Sequence, residues 1–457
     1  MNLRLSAALL AGRAAATLSR RLGRGGGTVI AGHLVPRLAP DALKDLTRAL
    51  PSGSIVVSGT NGKTTTTRLL SHVLDGAGMR PIHNRAGANL LSGLFSTVAQ
   101  ASDWQARPRG DIGLFEVDEA TVPVALQHIH PRVLLLHNIF RDQLDRYGEV
   151  HFVAGLWRTA VQHLQPSTQV AVNADDPLVA ALPASLTYGI ADISVGTQVL
   201  PHAADARLCP VCGSALRYDV VFYGHLGHYR CSRCEFARPT PAVRATHVEL
   251  LGDEGTNLTV ETPNGTLRAR LHLPGLYNAY NALAAIAACS AIGIRRDLIA
   301  RGIETFTAAF GRLERIQVEN RQLFLALVKN PVGFTEVLRT ILVAPGMRTV
   351  VVAINDLFAD GTDVSWLWDV EFERLRDRVN VAICSGLRAE DMAVRLKYAG
   401  VDASRLRVEP DLSRALEIAL HASEPGETVY VLPTYTAMLA LRELLQHMGY
   451  VRGFWED

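Results

Sequence analysis

A short β-branched run, Ile55-Val56-Val57-Ser58, breaks into Gly59-Thr60-Asn61-Gly62-Lys63 and passes at once into Thr64-Thr65-Thr66 and a helix-like stretch to Asp75. Strand, glycine loop, lysine and helix in that order leave few folds open. Glycines let backbone N–H groups approach an oxyanion, and the first turn of a helix adds positive potential. The ligand this predicts is a nucleotide phosphate, with Lys63 on the β/γ-phosphates and the Thr64 hydroxyl on Mg²⁺. Val57 stands where a GxxxxGK[ST] loop would carry its first glycine, so the match is incomplete.

The rest of the first half repeats the strand-then-helix rhythm. Buried-type strands are expected at 112–117, 133–136 and 170–172, separated by helical segments, which predicts an α/β fold with a parallel, doubly wound sheet. Ligands in such sheets bind beyond the carboxyl ends of the strands. The polar clusters 59–64, 116–119, 138–145 and 173–176 all fall at such ends.

The chain has 457 residues, which suggests two to three domains. We divide it into an N-terminal helical segment (1–50), a central nucleotide-binding domain (51–319) and a smaller C-terminal α/β domain (320–457) with strands near 323–328, 349–354, 379–383 and 429–432. A net charge of +2 gives no global field for nucleic acid or an acidic membrane. The apolar stretch 3–22 is interrupted by Arg4, Arg13, Arg20 and Arg21; it reads as an amphipathic helix packed on the body rather than a membrane span or signal peptide. A reducing, cytoplasmic setting is therefore expected, and the six cysteines are not expected to form disulfides. Only four lysines occur, at 44, 63, 329 and 397, so the two in motif-like places stand out.

Four of the cysteines form Cys209-x-x-Cys212 and Cys231-x-x-Cys234, an insertion spanning about 205–238. Two such knuckles predict a tetrahedral Zn²⁺ ribbon, and four thiolates leave no open coordination position, so the site is structural. The loop between the knuckles has few cations, which argues against nucleic-acid binding. Cys384 lies between a strand and Ser385-Gly386, but no GxCxG frame or nearby histidine accompanies it, and it reads as a packed thiol.

Taken together, GTNGKTT at 59–65, EVDE at 116–119, NIFRDQLDRYG at 138–148, NADD at 173–176, LPGLYNAYNALAA at 273–285 and GR at 311–312 resemble the Mur ligase superfamily, the ATP-dependent carboxylate–amine ligases. The ribbon insertion, Gln143, the KNP segment at 329–331 and ADGTDVSWLWD at 359–369 point to its amidating branch, a synthetase subunit working as a heterodimer with a GatD-type glutaminase. The resemblance implies ATP-dependent amidation of the D-glutamate α-carboxylate of lipid II at the inner face of the membrane, through an acyl phosphate. It implies ATP contacts from Gly59, Thr60, Asn61, Gly62, Lys63, Thr64 and Thr65, with Asn278 and Asn281 beside the adenine and Arg312 and Lys329 reaching the phosphates. Thr64 and Glu116 would hold Mg²⁺. Gln143 replaces a second-metal histidine of ordinary Mur ligases, and no lysine between 63 and 329 is available for carbamoylation, so one Mg²⁺ is expected. Asp363 is the expected catalytic contribution to the partner, completing its Cys–His pair across the interface, with Asp360 and Asp356 as neighbours that could do the same. A stand-alone amino-acid ligase of the Mur or folylpolyglutamate type is the alternative.

Overall fold

The structure, a computed structural model, describes residues 3–21, 28–84, 88–141, 150–201, 204–307 and 312–451. Two sheets organise it. The first has nine strands: β1 (Ser54–Ser58), β2 (Pro81–His83), β3 (Ile112–Glu116), β4 (Val133–Leu136), β5 (Gln169–Asn173), β6 (Leu186–Ile190), β9 (Val243–Leu250), β10 (Thr256–Thr262) and β11 (Gly265–Leu271). Their order is β11-β10-β9-β6-β5-β4-β1-β3-β2. All pairings from β2 to β9 are parallel, and β10 and β11 extend the edge as an antiparallel meander.

The residue pattern explains that layout. β1, β3 and β4 are continuous apolar runs because both faces are covered, as parallel strands require. On one face lie the helices Lys63–Gly76 and Leu276–Ala291, the second built almost entirely of buried small residues and closely packed on the sheet. The other face carries the helices Leu91–Gln100 and Val150–Gln162 and the N-terminal helix Leu3–Arg21, which buries Leu5, Ala8 and Leu9. Arg13 ties that helix down by donating to the Ala99 carbonyl at 2.8 Å. No described helix is long and apolar enough to cross a membrane.

Between β6 and β9 stands a separate hairpin, β7 (Leu216–Tyr223) and β8 (Leu226–Cys231), whose open end carries the cysteine knuckles. The second sheet has the order β12-β13-β17-β14-β15-β16, with β12 (Arg312–Val318), β13 (Arg321–Ala326), β14 (Arg348–Ala353), β15 (Val379–Ser385), β16 (Leu406–Val408) and β17 (Thr428–Pro433). Only β12 runs antiparallel. Asn320 thus lies in the β12–β13 turn, and the chain passes from one sheet to the other ahead of Arg312. The alternating 314–318 segment had no partner in the sequence; pairing with β13 supplies it.

Candidate functional site

At the carboxyl edge of the first sheet, the loop after β1 is held by the strand ends beside it. The Thr60 N–H donates to the Asn138 carbonyl at 2.9 Å and the Asn61 N–H to Asn138 Oδ1 at 2.8 Å. Two loop amides are therefore committed to the protein. The anion-facing donors left are those at the start of the helix Lys63–Gly76, where Lys63, Thr64 and Thr65 make the first turn. Gly62 precedes them at φ +86°, and a Cβ there would fall 2.0 Å from Asn281 Oδ1. Only glycine fits. Gly59 likewise abuts the His137 side chain.

Four side chains meet beside that turn. Lys63 Nζ lies 2.5 Å from Glu119 Oε1, both largely buried. Thr64 Oγ1 donates to Glu116 Oε1 at 3.0 Å, and Asn84 holds the Glu116 backbone on both its N–H and its carbonyl. A hydroxyl and a carboxylate oxygen side by side at a loop mouth suit a hard cation such as Mg²⁺, which prefers oxygen donors. Glu119 was visible only as part of the EVDE motif; its ion pair with Lys63 is a contact the sequence did not reveal.

From the second sheet, Lys329 Nζ reaches the Thr60 carbonyl at 3.4 Å, and Asn330 Nδ2 donates to Asn61 Oδ1 at 2.9 Å. Asn330 also caps the helix Pro331–Ile341 by accepting from Gly333 N. Lys329 is thus brought to the loop. Arg312 begins β12, but its side chain lies outside the described residues, as does Gln143. Asn278 and Asn281 are buried side by side, the Asn281 Nδ2 donating to Asn278 Oδ1 at 2.9 Å and the Asn278 Nδ2 to the Pro274 carbonyl at 2.8 Å.

This amide pair continues into a residue to which the sequence gave no role. His137 Nε2 lies 2.9 Å from Asn281 Oδ1, and its Nδ1 lies 2.6 Å from the Tyr188 hydroxyl. An amide oxygen only accepts, so Nε2 carries the proton and Tyr188 donates to Nδ1. Burial drives the imidazole pKa down to about 4, so the ring is neutral. His225, also buried, shifts the opposite way: burial pulls its pKa down, but the Asp176 carboxylate 3.3 Å away outweighs that and raises it.

The four cysteine sulfurs lie within 4.8 Å of one another, Cys209 to Cys234 at 3.7 Å and Cys212 to Cys231 at 3.4 Å. Tetrahedral zinc with Zn–S bonds of about 2.3 Å sets its sulfurs about 3.8 Å apart, so the donor set fits that metal. The Ser214 N–H and hydroxyl lower the Cys212 pKa to about 6, favouring the thiolate that binds metal. Cys384 is fully buried and its thiol is pushed up to about 12 by burial, which suits packing and not attack.

Asp363 follows β14 at the second sheet's carboxyl edge, exposed, with one oxygen accepting from Ser365 N at 2.8 Å. Asp360 is buried and spends both oxygens on Thr436. Asp356 lies 3.5 Å from Arg388. Exposed apolar side chains share this edge, among them Leu357, Phe358, Leu387 and Tyr435.

A glycine–lysine loop, its buried acids and a second α/β sheet closing over it define a ligase of the Mur type. Residues 57–205 match the Mur ligase middle domain and residues 327–438 the MurT ligase C-terminal family. The chain is 33% identical over 456 residues (99% of both chains) to the lipid II isoglutaminyl synthase (glutamine-hydrolyzing) subunit MurT of Streptococcus pneumoniae. This chain belongs to the MurT family. Among solved structures, a pseudomurein peptide ligase type C from Methanothermus fervidus shares the fold at TM-score 0.68 and 22% identity, covering 91% of this chain and 84% of its own. The MurF ligase from Thermotoga maritima in complex with ADP does so at TM-score 0.64 and 12% identity, covering 91% and 84%.

Proposed function

We propose that this chain is the synthetase subunit of a lipid II isoglutaminyl synthase, amidating the D-glutamate α-carboxylate with ammonia released from glutamine by a partner subunit. The observation that carries this reading is the convergence of Lys63, Thr64 and Glu116 with Lys329 at one loop. A carboxylate resists ammonia because its leaving group would be oxide. In the first step a carboxylate oxygen takes the γ-phosphoryl of ATP, giving an acyl phosphate and ADP. Ammonia then attacks the carbonyl carbon; the C–N bond forms, the C–O bond to phosphate breaks, and nitrogen loses a proton. Such chemistry depends chiefly on positioning and charge neutralisation.

Each side chain has a share in that. Lys63 exchanges Glu119 for the outer phosphates, and the amides of Thr64 and Thr65 face the same oxygens. Gly59 and Gly62 keep the loop backbone free to approach, with Thr60 and Asn61 fixing its shape. Thr64 and Glu116 hold Mg²⁺, which supplies further charge neutralisation when bound. Asn278 and Asn281 line the adenine side, and Arg312 and Lys329 close on the phosphates from the second sheet. Cys209, Cys212, Cys231 and Cys234 hold a structural Zn²⁺.

The nitrogen comes from a glutaminase of the GatD type, docked on the apolar edge around Phe358 and Leu387. Asp363, exposed there, orients the partner's catalytic histidine and stabilises its imidazolium. Asp360 is poorly suited, because Thr436 already occupies both its oxygens. The enzyme works on its lipid-linked substrate from the cytoplasmic side of the membrane. Co-expression with a GatD-type glutaminase and an ATP- and glutamine-dependent amidation assay on lipid II tests the whole reading; ammonium-independent amino-acid addition instead would overturn it.

A further inference from the structure

The hairpin that carries the cysteine knuckles does not end in solvent. Phe222, Tyr223, His225 and Leu226 at its tip are all buried. On one side the tip meets Phe140, just after β4: the His225 and Phe140 rings are 4.6 Å apart, and a Cβ added to Gly224 (φ +55°) would fall 2.7 Å from Phe140 Cε1. Phe140 is in turn bonded to the phosphate loop, its N–H donating to Thr60 Oγ1 at 3.0 Å. Asp176 reinforces this seat, lying 3.3 Å from His225 and accepting the Ile139 N–H at 2.9 Å. On the other side the same tip meets the second sheet's helix Pro331–Ile341. Val332 Cγ1 would lie 3.3 Å from a Gly224 Cβ, and Arg339 donates to the Phe222 carbonyl at 3.3 Å. That helix begins at Asn330, which bonds Asn61 of the loop.

We propose that the ribbon tip, centred on Gly224 and His225, is a positioning element of the nucleotide site, so that metal at the four cysteines and nucleotide at the loop bind cooperatively. The ribbon knuckles set the hairpin, the tip sets Phe140 and the helix Pro331–Ile341, and these two set Thr60 and Asn61. No step requires the nucleotide to touch the ribbon itself. The idea rests on the reading of residues 59–65 as the ATP site.

Coupling of binding free energies is reciprocal: whatever factor zinc contributes to nucleotide affinity, nucleotide contributes to zinc affinity. The test uses the full chain purified with its co-expressed partner. Zinc affinity is measured by competition with a metallochromic chelator, with and without a saturating non-hydrolysable ATP analogue and Mg²⁺. The expected result is at least an about fivefold tightening of zinc by the analogue. In Gly224→Ala the chain should still hold one zinc, but the shift should vanish and analogue affinity should fall by the same factor. His225→Phe, which keeps a ring against Phe140 but drops the Asp176 pairing, should lose part of the shift. Equal zinc affinity with and without the analogue, in wild-type chain that binds the analogue, overturns the proposal whether or not the variants fold. A Lys63→Ala chain that binds the analogue like wild type would instead overturn the ATP-site reading.

Discussion

His137 offers a perturbation whose size follows from its neighbours. Replacing it with leucine leaves the Tyr188 hydroxyl without an acceptor and Asn281 Oδ1 without its nearest donor, both in a fully enclosed setting. An orphaned buried polar group costs about 1–3 kcal/mol, and because Asn281 Oδ1 keeps the Thr66 hydroxyl at 3.4 Å, only Tyr188 is orphaned and His137→Leu should destabilise by about 1–3 kcal/mol. His137→Gln restores an N–H toward Asn281 and should cost about half that. A pH signature separates this from generic damage. The His137 pKa sits near 4 in the fold against 6.5 for the free side chain, so the unfolded chain binds more protons between those values. The native state therefore keeps its full share of stability above about pH 6.5 and loses it as pH falls toward 4, about 2 kcal/mol of it by pH 5. His225, with its raised pKa, contributes in the opposite sense, but it is common to both chains and cancels in the difference. Chemical denaturation of wild type and His137→Gln at pH 7.5 and pH 5 measures this. The difference between them should move by about 2 kcal/mol in the variant's favour at the lower pH; a difference that stays constant refutes a buried neutral imidazole.

The other predictions concern the site itself. Asp363→Asn should abolish glutamine-driven amidation while analogue binding and ammonium-driven turnover persist; normal use of glutamine would remove Asp363 from the triad. Lys63→Ala should lose turnover with either nitrogen source, and retained ammonium-driven activity would sink its phosphate role. Gly62→Ala forces a side chain into a φ of +86° and onto Asn281. That strain, about 1–2 kcal/mol before any repacking, should weaken ATP-analogue binding about five- to thirtyfold in a calorimetric titration.

What was legible in the sequence is what is local. The loop and its helix follow one another without interruption from Gly59 to Gly76, and the cysteine knuckles announce themselves by spacing. The strand-end clusters follow from the alternation of strand and helix, since a parallel sheet must present every such end on one edge. The rest depends on partners remote in the chain. His137 is 51 positions from Tyr188 and 144 from Asn281, and nothing in its neighbourhood distinguishes it from an ordinary core histidine. Asp363 resembles any loop aspartate until Asp360 is seen to be consumed by Thr436, 76 positions away. The β12 strand went unassigned for a related reason: a short amphipathic run at a sheet edge is defined by the strand that pairs with it. The hairpin tip is the extreme case: Phe222 and Tyr223 lie between the two cysteine knuckles in sequence yet are buried in the core of the first sheet.

The bond from Asn330 to Asn61 has a mechanical meaning. A fastening between two bodies placed at their hinge leaves them free to swing; placed at the mouth, it decides when they shut. Here it sits at the mouth, on a residue of the loop itself. Asn330 holds Asn61 with one atom and caps the helix Pro331–Ile341 with another, so the loop and that helix share one anchor.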